Sequence, residues 1–354
     1  QLTSFPMGVA IDIGTTTIVF HLSELITGVL VESRSIMNPQ GKYGADVVSR
    51  INYTISNQNG LHTLQQEIIE AINRELVHFA EYVGIRVDDI VKIAVTGNTT
   101  MLHLLLGEDP KSLAFIPFTP VFTDKRILAA KDFNLACNPD SQIKILPSLA
   151  AYIGADILAG IASLAPKDNI KNYLFIDVGT NGEMALITPE HYYCCATAAG
   201  PAFGGANIEH GMAAVQGAIN TFGAREDFTT IGGGNPVGIC GSGLIDIVAV
   251  LLDKGIIAKD GNMDSDYVLV PKEYSGNGNE ITLTQKDIRE VQLAKSAIAS
   301  GIRILLNEAA LTFEQLDALY LAGGFGNYIH NRSAIRIGLL PAELENRIIP
   351  VGNT

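Results

Sequence analysis

Two aspartates are each followed, one residue on, by a Gly-Thr pair. The first lies in Ile11-Asp12-Ile13-Gly14-Thr15-Thr16-Thr17 and the second in Ile176-Asp177-Val178-Gly179-Thr180-Asn181-Gly182. A carboxylate is a hard anionic ligand suited to Mg2+, largely through bound waters. Glycine lets the backbone approach a ligand closely. The turn around it aims successive N–H groups and a Thr hydroxyl at one point, a concavity that binds phosphate. Thr15, Thr16 and Thr180 would offer hydroxyls to phosphate oxygens, and Asp12 and Asp177 are the candidate catalytic and metal-binding residues. The plainer reading of each aspartate is a carboxylate that bonds its own turn backbone.

Each motif needs two strands to hold it. Residues 8–20 and 173–185 both read as an apolar run, the Asp-x-Gly-Thr turn and a second apolar run, which is a strand, a tight turn and a strand. Asp12 and Asp177 lie 165 residues apart, so the spacing predicts two similar halves facing each other across a cleft. Each half also carries a later strand–Gly–helix signal. Val91 to Val95 runs into Thr96-Gly97-Asn98-Thr99-Thr100 and a helix from Met101 to Leu106, whose N-terminus is a second natural anion site. Ala318 to Leu321 runs into Ala322-Gly323-Gly324-Phe325-Gly326-Asn327, where missing side-chain bulk leaves room for an adenosine against the backbone.

Between these points, Val29 to Met37 reads as a strand and Asn38 to Gly44 as a turn-rich loop. Leu61, Leu64, Ile68, Ile72, Leu76, Phe79 and Val83 recur at three or four residues and predict a long amphipathic helix ended by Gly84. Residues 107–140 read as an irregular connection in which Phe115 to Phe118 packs. Ile143 to Leu146 reads as a strand, and Leu149 to Leu164 as a helix of small residues. Pro166-Lys167-Asp168-Asn169 is the expected boundary between domains 1–168 and 169–354. In the second half Asn277-Gly278 predicts a hairpin tip. Thr284, with Asp287 three residues on, predicts the start of a helix that runs to Leu311.

Composition excludes several classes. Hydrophobic residues make up 47% and charged ones 17%, which suits a globular chain of about two domains. A net charge of −13 argues against nucleic acid as a partner. It also leaves bound phosphate to backbone N–H groups, helix ends and a metal. No apolar run is long enough to span a membrane, and no signal peptide is visible, although the start at Gln1 is compatible with a fragment. Cys137, Cys194, Cys195 and Cys240 show no metal-ligand spacing. They read as small reduced thiols in a cytoplasmic protein, or, in the sharper reading, as ligands of a cluster bridging two subunits. The seven histidines read as structural or surface groups.

The three segments DIGTTT, DVGTNGE and LAGGFG resemble the phosphate-1, phosphate-2 and adenosine motifs of the superfamily of acetate and sugar kinases, heat-shock chaperones and actin. Within it, GNTTMLHLLLG, TAAGPAFGGANI, CGSGLIDIV and VQLAKSAI resemble the C-terminal ATPase domain of the reductive activators of corrinoid proteins, over nearly the whole chain. The resemblance implies an α/β fold of two ribonuclease H-like (actin-like) subdomains with a nucleotide cleft between them. It implies Mg2+ and ATP as cofactors, and slow ATP hydrolysis that helps drive cob(II)alamin to cob(I)alamin in the corrinoid protein of a methyltransferase system. Electrons would come from an iron–sulfur cluster expected only in a domain absent from this chain. Carried over by residue, Gly14, Thr15, Thr16, Gly179, Thr180, Asn181 and Gly182 hold phosphate, while Gly323, Gly324 and Phe325 flank ribose and adenine. Lys295 falls on the helix that lines the adenine pocket in superfamily relatives, and a solvated helix charge is its other reading. Glu183 orients water or metal, or is an ordinary strand-face carboxylate. The resemblance leaves room for a homodimer and implies a further connecting helix beyond Thr354.

Two other functions fit the same fold. A metabolite kinase needs a carboxylate base in the cleft, and none stands out near Thr96 or Pro147. An activator of a 2-hydroxyacyl-CoA dehydratase needs cluster-binding cysteines, for which only Cys240 at a helix start is suited.

Overall fold

Val9, Ile11 and Ile13 alternate along the first segment and are 2%, 1% and 0% exposed, so this strand has a face committed to burial. In the computed structural model, which describes residues 5–164, 166–167, 169–179, 181–323 and 328–352, the segment lies inside the first of two main sheets. The chain divides into two compact units, residues 1–162 and 163–354.

In the first unit, β1 (Met7–Ile13), β2 (Thr17–Glu24) and β3 (Leu30–Met37) form two antiparallel hairpins. Two helices follow, α1 (Val47–Ser56) and α2 (Gly60–Val83), before β4 (Ile90–Gly97) returns parallel to β1. Then come α3 (Thr99–Leu106), β5 (Arg126–Ala129), β6 (Gln142–Ile145) and α4 (Ala155–Ser163). The sheet order is β3-β2-β1-β4-β6-β5, with β6 parallel to β4 and β5 antiparallel at the edge. Helix α2 follows from its apolar period: Leu64, Ile68, Ile72, Leu76 and Phe79 are all buried in one core with β1, β2 and β4. Its end at Gly84 has φ 72°, the left-handed cap that glycine adopts without strain.

The second unit opens with β7 (Tyr173–Val178), β8 (Gly182–Ile187) and β9 (Tyr192–Thr197). An insertion holds β10 (Ala218–Phe222), β11 (Phe228–Thr230), β12 (Gly238–Ile239), α5 (Gly241–Asp253), β13 (Tyr267–Val270) and β14 (Ile281–Leu283). Then follow α6 (Gln285–Glu308), β15 (Ala318–Ala322), α7 (Asn331–Arg336) and β16 (Ile348–Gly352). The main sheet has the order β9-β8-β7-β15-β16, with β15 parallel to both β7 and β16. Apart from β5, this repeats the order of the first sheet. Helix α6 starts where expected: Thr284 Oγ1 accepts the Asp287 N–H at 3.2 Å, and the Asp287 carboxylate accepts the Thr284 N–H at 2.8 Å.

Several expectations are corrected. The helix expected from Leu149 begins at Ala155, because Leu149 to Ile153 closes a small turn in which the Leu149 N–H donates to the Ile153 carbonyl at 2.9 Å. The region 107–140 is not wholly irregular but contributes the edge strand β5. Strands β13 and β14 pair antiparallel across the long connection 271–280, so Asn277-Gly278 turns within a loop rather than at a two-residue hairpin tip. Helix α1, with Asp46 as its N-cap and Val47, Ile51 and Ile55 at four-residue spacing, is an element absent from the expectations above. No helix among the described residues is long and apolar enough to cross a membrane.

Two aromatic residues on α2 separate core from surface. Phe79 is 0% and Tyr82 68% exposed. Phe79→Ala should destabilise the protein by about 3–5 kcal/mol and Tyr82→Ala by less than about 0.5 kcal/mol. Urea unfolding of the two variants checks the contrast.

Candidate functional site

The registers of the two sheets carry the Asp-x-Gly motifs to the same structural position. In the first, Asp12 pairs with Thr96 and Ile13 with Gly97 across the parallel β1–β4 ladder. In the second, Asp177 pairs with Ala322 across β7–β15. The next residue after each of these pairs is a glycine forced by space. A β-carbon on Gly97 (φ 151°) would lie 2.6 Å from the Ile13 carbonyl oxygen. One on Gly323 (φ 103°) would lie 2.5 Å from the Val178 carbonyl oxygen and 2.8 Å from Asp177 Oδ1. Both contacts are tighter than any side chain tolerates. In each sheet the strand carrying the aspartate and the strand carrying the glycine end side by side, with the polypeptide turning away at one point.

Around the first turn the structure adds residues that the motif does not reveal. Asn98 caps α3 by accepting the Met101 N–H at 3.0 Å, and its Nδ2 donates to Thr15 Oγ1 at 3.0 Å. One side chain therefore joins the strand–Gly–helix junction to the Asp12 loop, and leaves the Thr15 hydroxyl proton free to point elsewhere. Asn38, 4% exposed, donates from Nδ2 to the Gly14 carbonyl at 2.8 Å, and its backbone N–H donates to the Thr16 carbonyl at 2.8 Å. Arg50, 1% exposed, donates from Nη2 to the Thr15 carbonyl at 2.5 Å. Burial pushes its guanidinium down to about 10, which leaves it charged at neutral pH.

A second carboxylate lies beside this junction. Asp156, in the first turn of α4, accepts the Ile157 N–H at 2.9 Å. The β-carbon position of Gly154 lies 2.5 Å from Asp156 Oδ1, 2.5 Å from the Asn98 Cα and 2.8 Å from the Gly97 carbonyl oxygen. Those three groups are thus packed around one glycine. Burial pushes the Asp156 carboxyl up to about 6, only partly offset by its backbone hydrogen bonds. No motif singles this residue out. The available signal is a lone acid in an otherwise uncharged run, Gly154-Ala155-Asp156-Ile157-Leu158.

In the second unit Asp177 stands directly opposite Glu183 in the antiparallel β7–β8 ladder, so the two carboxylates share a sheet face. This all-oxygen donor set fits a hard cation such as Mg2+. The turn beyond is closed by the Gly179 N–H donating to the Asn181 carbonyl at 2.9 Å. Gly182 packs against Thr197 and Ile298. Lys295 on α6 is half-buried with its Nζ over Gly338, just past α7. Helix α7 is anchored to α5 by His330 Nδ1 against Asp246 Oδ2 at 2.7 Å and by the Arg336–Asp253 pair at 2.5 Å.

The expected residues therefore gather as two groups, Asp12, Gly14, Thr15 and Thr16 with Gly97 in one unit, and Asp177, Gly179, Asn181 and Gly182 with Gly323 in the other. Lys295 stands apart over Gly338. Thr180, Gly324 and Phe325 lie outside the described residues. One expected match differs: α3 starts two residues after Gly97, whereas α7 starts at Asn331, eight after Gly323. Cys240 is buried at the N-cap of α5 with its Sγ against the Ile219 carbonyl. Burial also pushes the Cys137, Cys194 and Cys195 thiols up, Cys195 to about 11.

Comparison with known proteins aligns with this division. Residues 7–166 match the model of the RACo middle region, and residues 171–354 match that of the C-terminal domain of RACo, the ASKHA domain. A protein of Eubacterium limosum, the corrinoid activation enzyme RamQ, is 36% identical over 94% of this chain and 60% of its own length. A [Co(II) methylated amine-specific corrinoid protein] reductase of Methanosarcina barkeri is 26% identical over 98% of this chain and 68% of its own length. The solved structure of a reductive activator for a corrinoid, iron–sulfur protein superposes with a TM-score of 0.89 at 38% identity, over 100% of this chain and 59% of that one. The chain thus spans about three-fifths of the length of RamQ and of that solved structure.

The raised carboxyl of Asp156 has a measurable consequence. Its folded-state pKa of about 6 exceeds the ordinary 3.8, so ionising it costs folding free energy. The group weakens the fold as pH rises from about 4 through 6, by at most about 3 kcal/mol above that window. Asp156→Asn should therefore stabilise the protein at pH 8 and lose that advantage at pH 4. Urea unfolding of both proteins at the two pH values checks it; an equal difference at both would show that the carboxyl is not held protonated.

Proposed function

We propose a function from the premise that this chain belongs to the RACo family, whose middle region and C-terminal ASKHA domain its two halves match. On this reading it is the ATP-handling part of a reductive activator that returns a corrinoid protein of a methyltransferase system from cob(II)alamin to cob(I)alamin. The observation that carries it is the repeated end of the two sheets: an aspartate, a glycine turn, and a neighbouring strand whose glycine has no room for a β-carbon. The relatives' names supply the corrinoid partner. The electrons would come from an iron–sulfur centre outside these residues, in a cytoplasmic setting.

Asp12 and Asp177 are read as the ligands of Mg2+, with Glu183 beside Asp177. Bound there, Mg2+ would neutralise phosphate charge and act as a Lewis acid. The chain's own residues do the rest. Gly14, Thr15 and Thr16 offer N–H groups and a hydroxyl oriented by Asn98, and Gly179, Thr180, Asn181 and Gly182 are read as holding phosphate from the second turn, with the Gly179 N–H itself spent on closing that turn. Gly323, Gly324 and Phe325 flank ribose and adenine, with Lys295 on the adenine side. Asp156 is our candidate for accepting the proton of an attacking water, since a carboxyl near neutrality is suited to that work. Turnover is expected to be slow. The task is to bias a conformation that grips the corrinoid partner, and ATP can do so only through differential affinity for two states.

Asp12→Ala and Asp177→Ala should each weaken Mg-ATP binding at least about tenfold while leaving the unfolding transition in place. Each should also abolish any ATP-dependent change in affinity for a cob(II)alamin-loaded corrinoid protein. Isothermal titration with Mg-ATP, followed by binding of that protein with and without nucleotide, checks both. Wild-type ATP affinity and turnover in both variants would show that the two carboxylates serve only their turns.

A further inference from the structure

Gly14, Thr15 and Thr16 contribute three consecutive peptide carbonyls, and each is held by a buried donor. Asn38 Nδ2 takes the first, Arg50 Nη2 the second and the Asn38 N–H the third. The two donor residues are neighbours: Met101 Sδ lies 3.7 Å from Asn38 Nδ2 and 3.2 Å from Arg50 Nη1. In a trans peptide the C=O of one residue and the N–H of the next point in opposite directions. Holding the Gly14 and Thr15 carbonyls inward therefore turns the N–H groups of Thr15 and Thr16 away from Asn38 and Arg50.

We infer that Arg50 is a positioning residue for phosphate: with Asn38 it holds the Gly14–Thr16 loop by its carbonyls, so that the loop presents N–H groups and a buried positive charge to the anion. The inference rests on the reading of this loop as the phosphate loop. Three observations favour it over a purely structural arginine. Arg50 is fully buried and the Asp46 carboxylate favours its charge only from beyond ion-pair distance, no closer carboxylate being present among the described residues, and a buried cation held in this way is costly. Its remaining donors are spent on neutral acceptors, with Nε on the Gly44 carbonyl at 2.9 Å and Nη1 near Gln40 Oε1 at 3.3 Å. A planar fork reaches all of these at once, which a lysine ammonium cannot. The charge also lies behind a loop of oriented N–H groups in a chain of net charge −13, where an anion has few other cations to meet.

Affinities for ATP, pyrophosphate and adenosine, the last by competition, separate positioning from general damage. Arg50→Lys keeps the charge but loses the fork, and should weaken ATP and pyrophosphate about tenfold or more while leaving adenosine within about twofold. Arg50→Met should weaken both anions further. Wild-type anion affinity in Arg50→Lys, or an equal loss for adenosine and ATP, overturns the inference. Should the Arg50 variants fail to fold, Asn38→Ala removes the tie to the Gly14 carbonyl and is read by the same criterion. Absence of ATP binding in the wild-type protein, or normal ATP binding by Asp12→Ala, overturns instead the phosphate-loop reading beneath it.

Discussion

Each main sheet is organised by a place where a side chain cannot go. The strand that pairs parallel with the aspartate-bearing strand ends in a glycine, and the β-carbon it lacks would strike the carbonyl one residue after the aspartate. That contact sets how closely β4 approaches β1 and β15 approaches β7. It also sets where both chains leave the sheet. In the first unit α3 starts two residues later, and its cap Asn98 reaches back to Thr15. The strand order around this contact is the same in the two sheets except for the added edge strand β5.

Electrostatics follow from an acidic chain that reserves few cations for its turns. Backbone N–H groups are the donors available there, and they become available only if the carbonyls of the same peptides are occupied elsewhere. Asn38 and Arg50 occupy them. Two groups packed beside the first turn are held at a cost: a buried guanidinium with no carboxylate at ion-pair distance among the described residues, and a carboxyl at Asp156 pushed up to about 6. Such arrangements lower stability and persist where the surrounding packing over-determines them. Here the packing is substantial, with Leu64, Ile68, Ile72, Leu76 and Phe79 of α2 holding one sheet and the buried face of α6 the other.

Periodic and motif-borne features are legible in the order of the amino acids. The α2 stripe, the capping box at Thr284, the Gly84 stop and the paired Asp-x-Gly turns depend on residues within a few positions of one another, where local geometry decides the outcome. Helix α1 is legible only as a short stripe: Val47, Ile51 and Ile55 recur every four residues behind the Asp46 cap, but ten residues give the period little length in which to show. The start of α4 is not legible: small residues from Leu149 onward suit a helix, but a turn closed at Ile153 takes the first of them. The late start of α7 has no marker, since Asn331 follows His330 without a capping side chain.

The chain's residue order by itself determined that this protein repeats one strand–turn–strand unit with a carboxylate before each glycine, and which family those segments resemble. Only the tertiary structure decided which side chains hold the first turn. Arg50 meets Thr15 across 35 residues of chain, and Asn98 meets Thr15 across 83. Asp156 comes to lie beside Gly97 and Asn98 only because Gly154 lets the chain pack there. Nothing local marks such partners, since a buried arginine or a raised carboxyl acquires its character from what surrounds it, and those surroundings exist only once the strands and helices have packed.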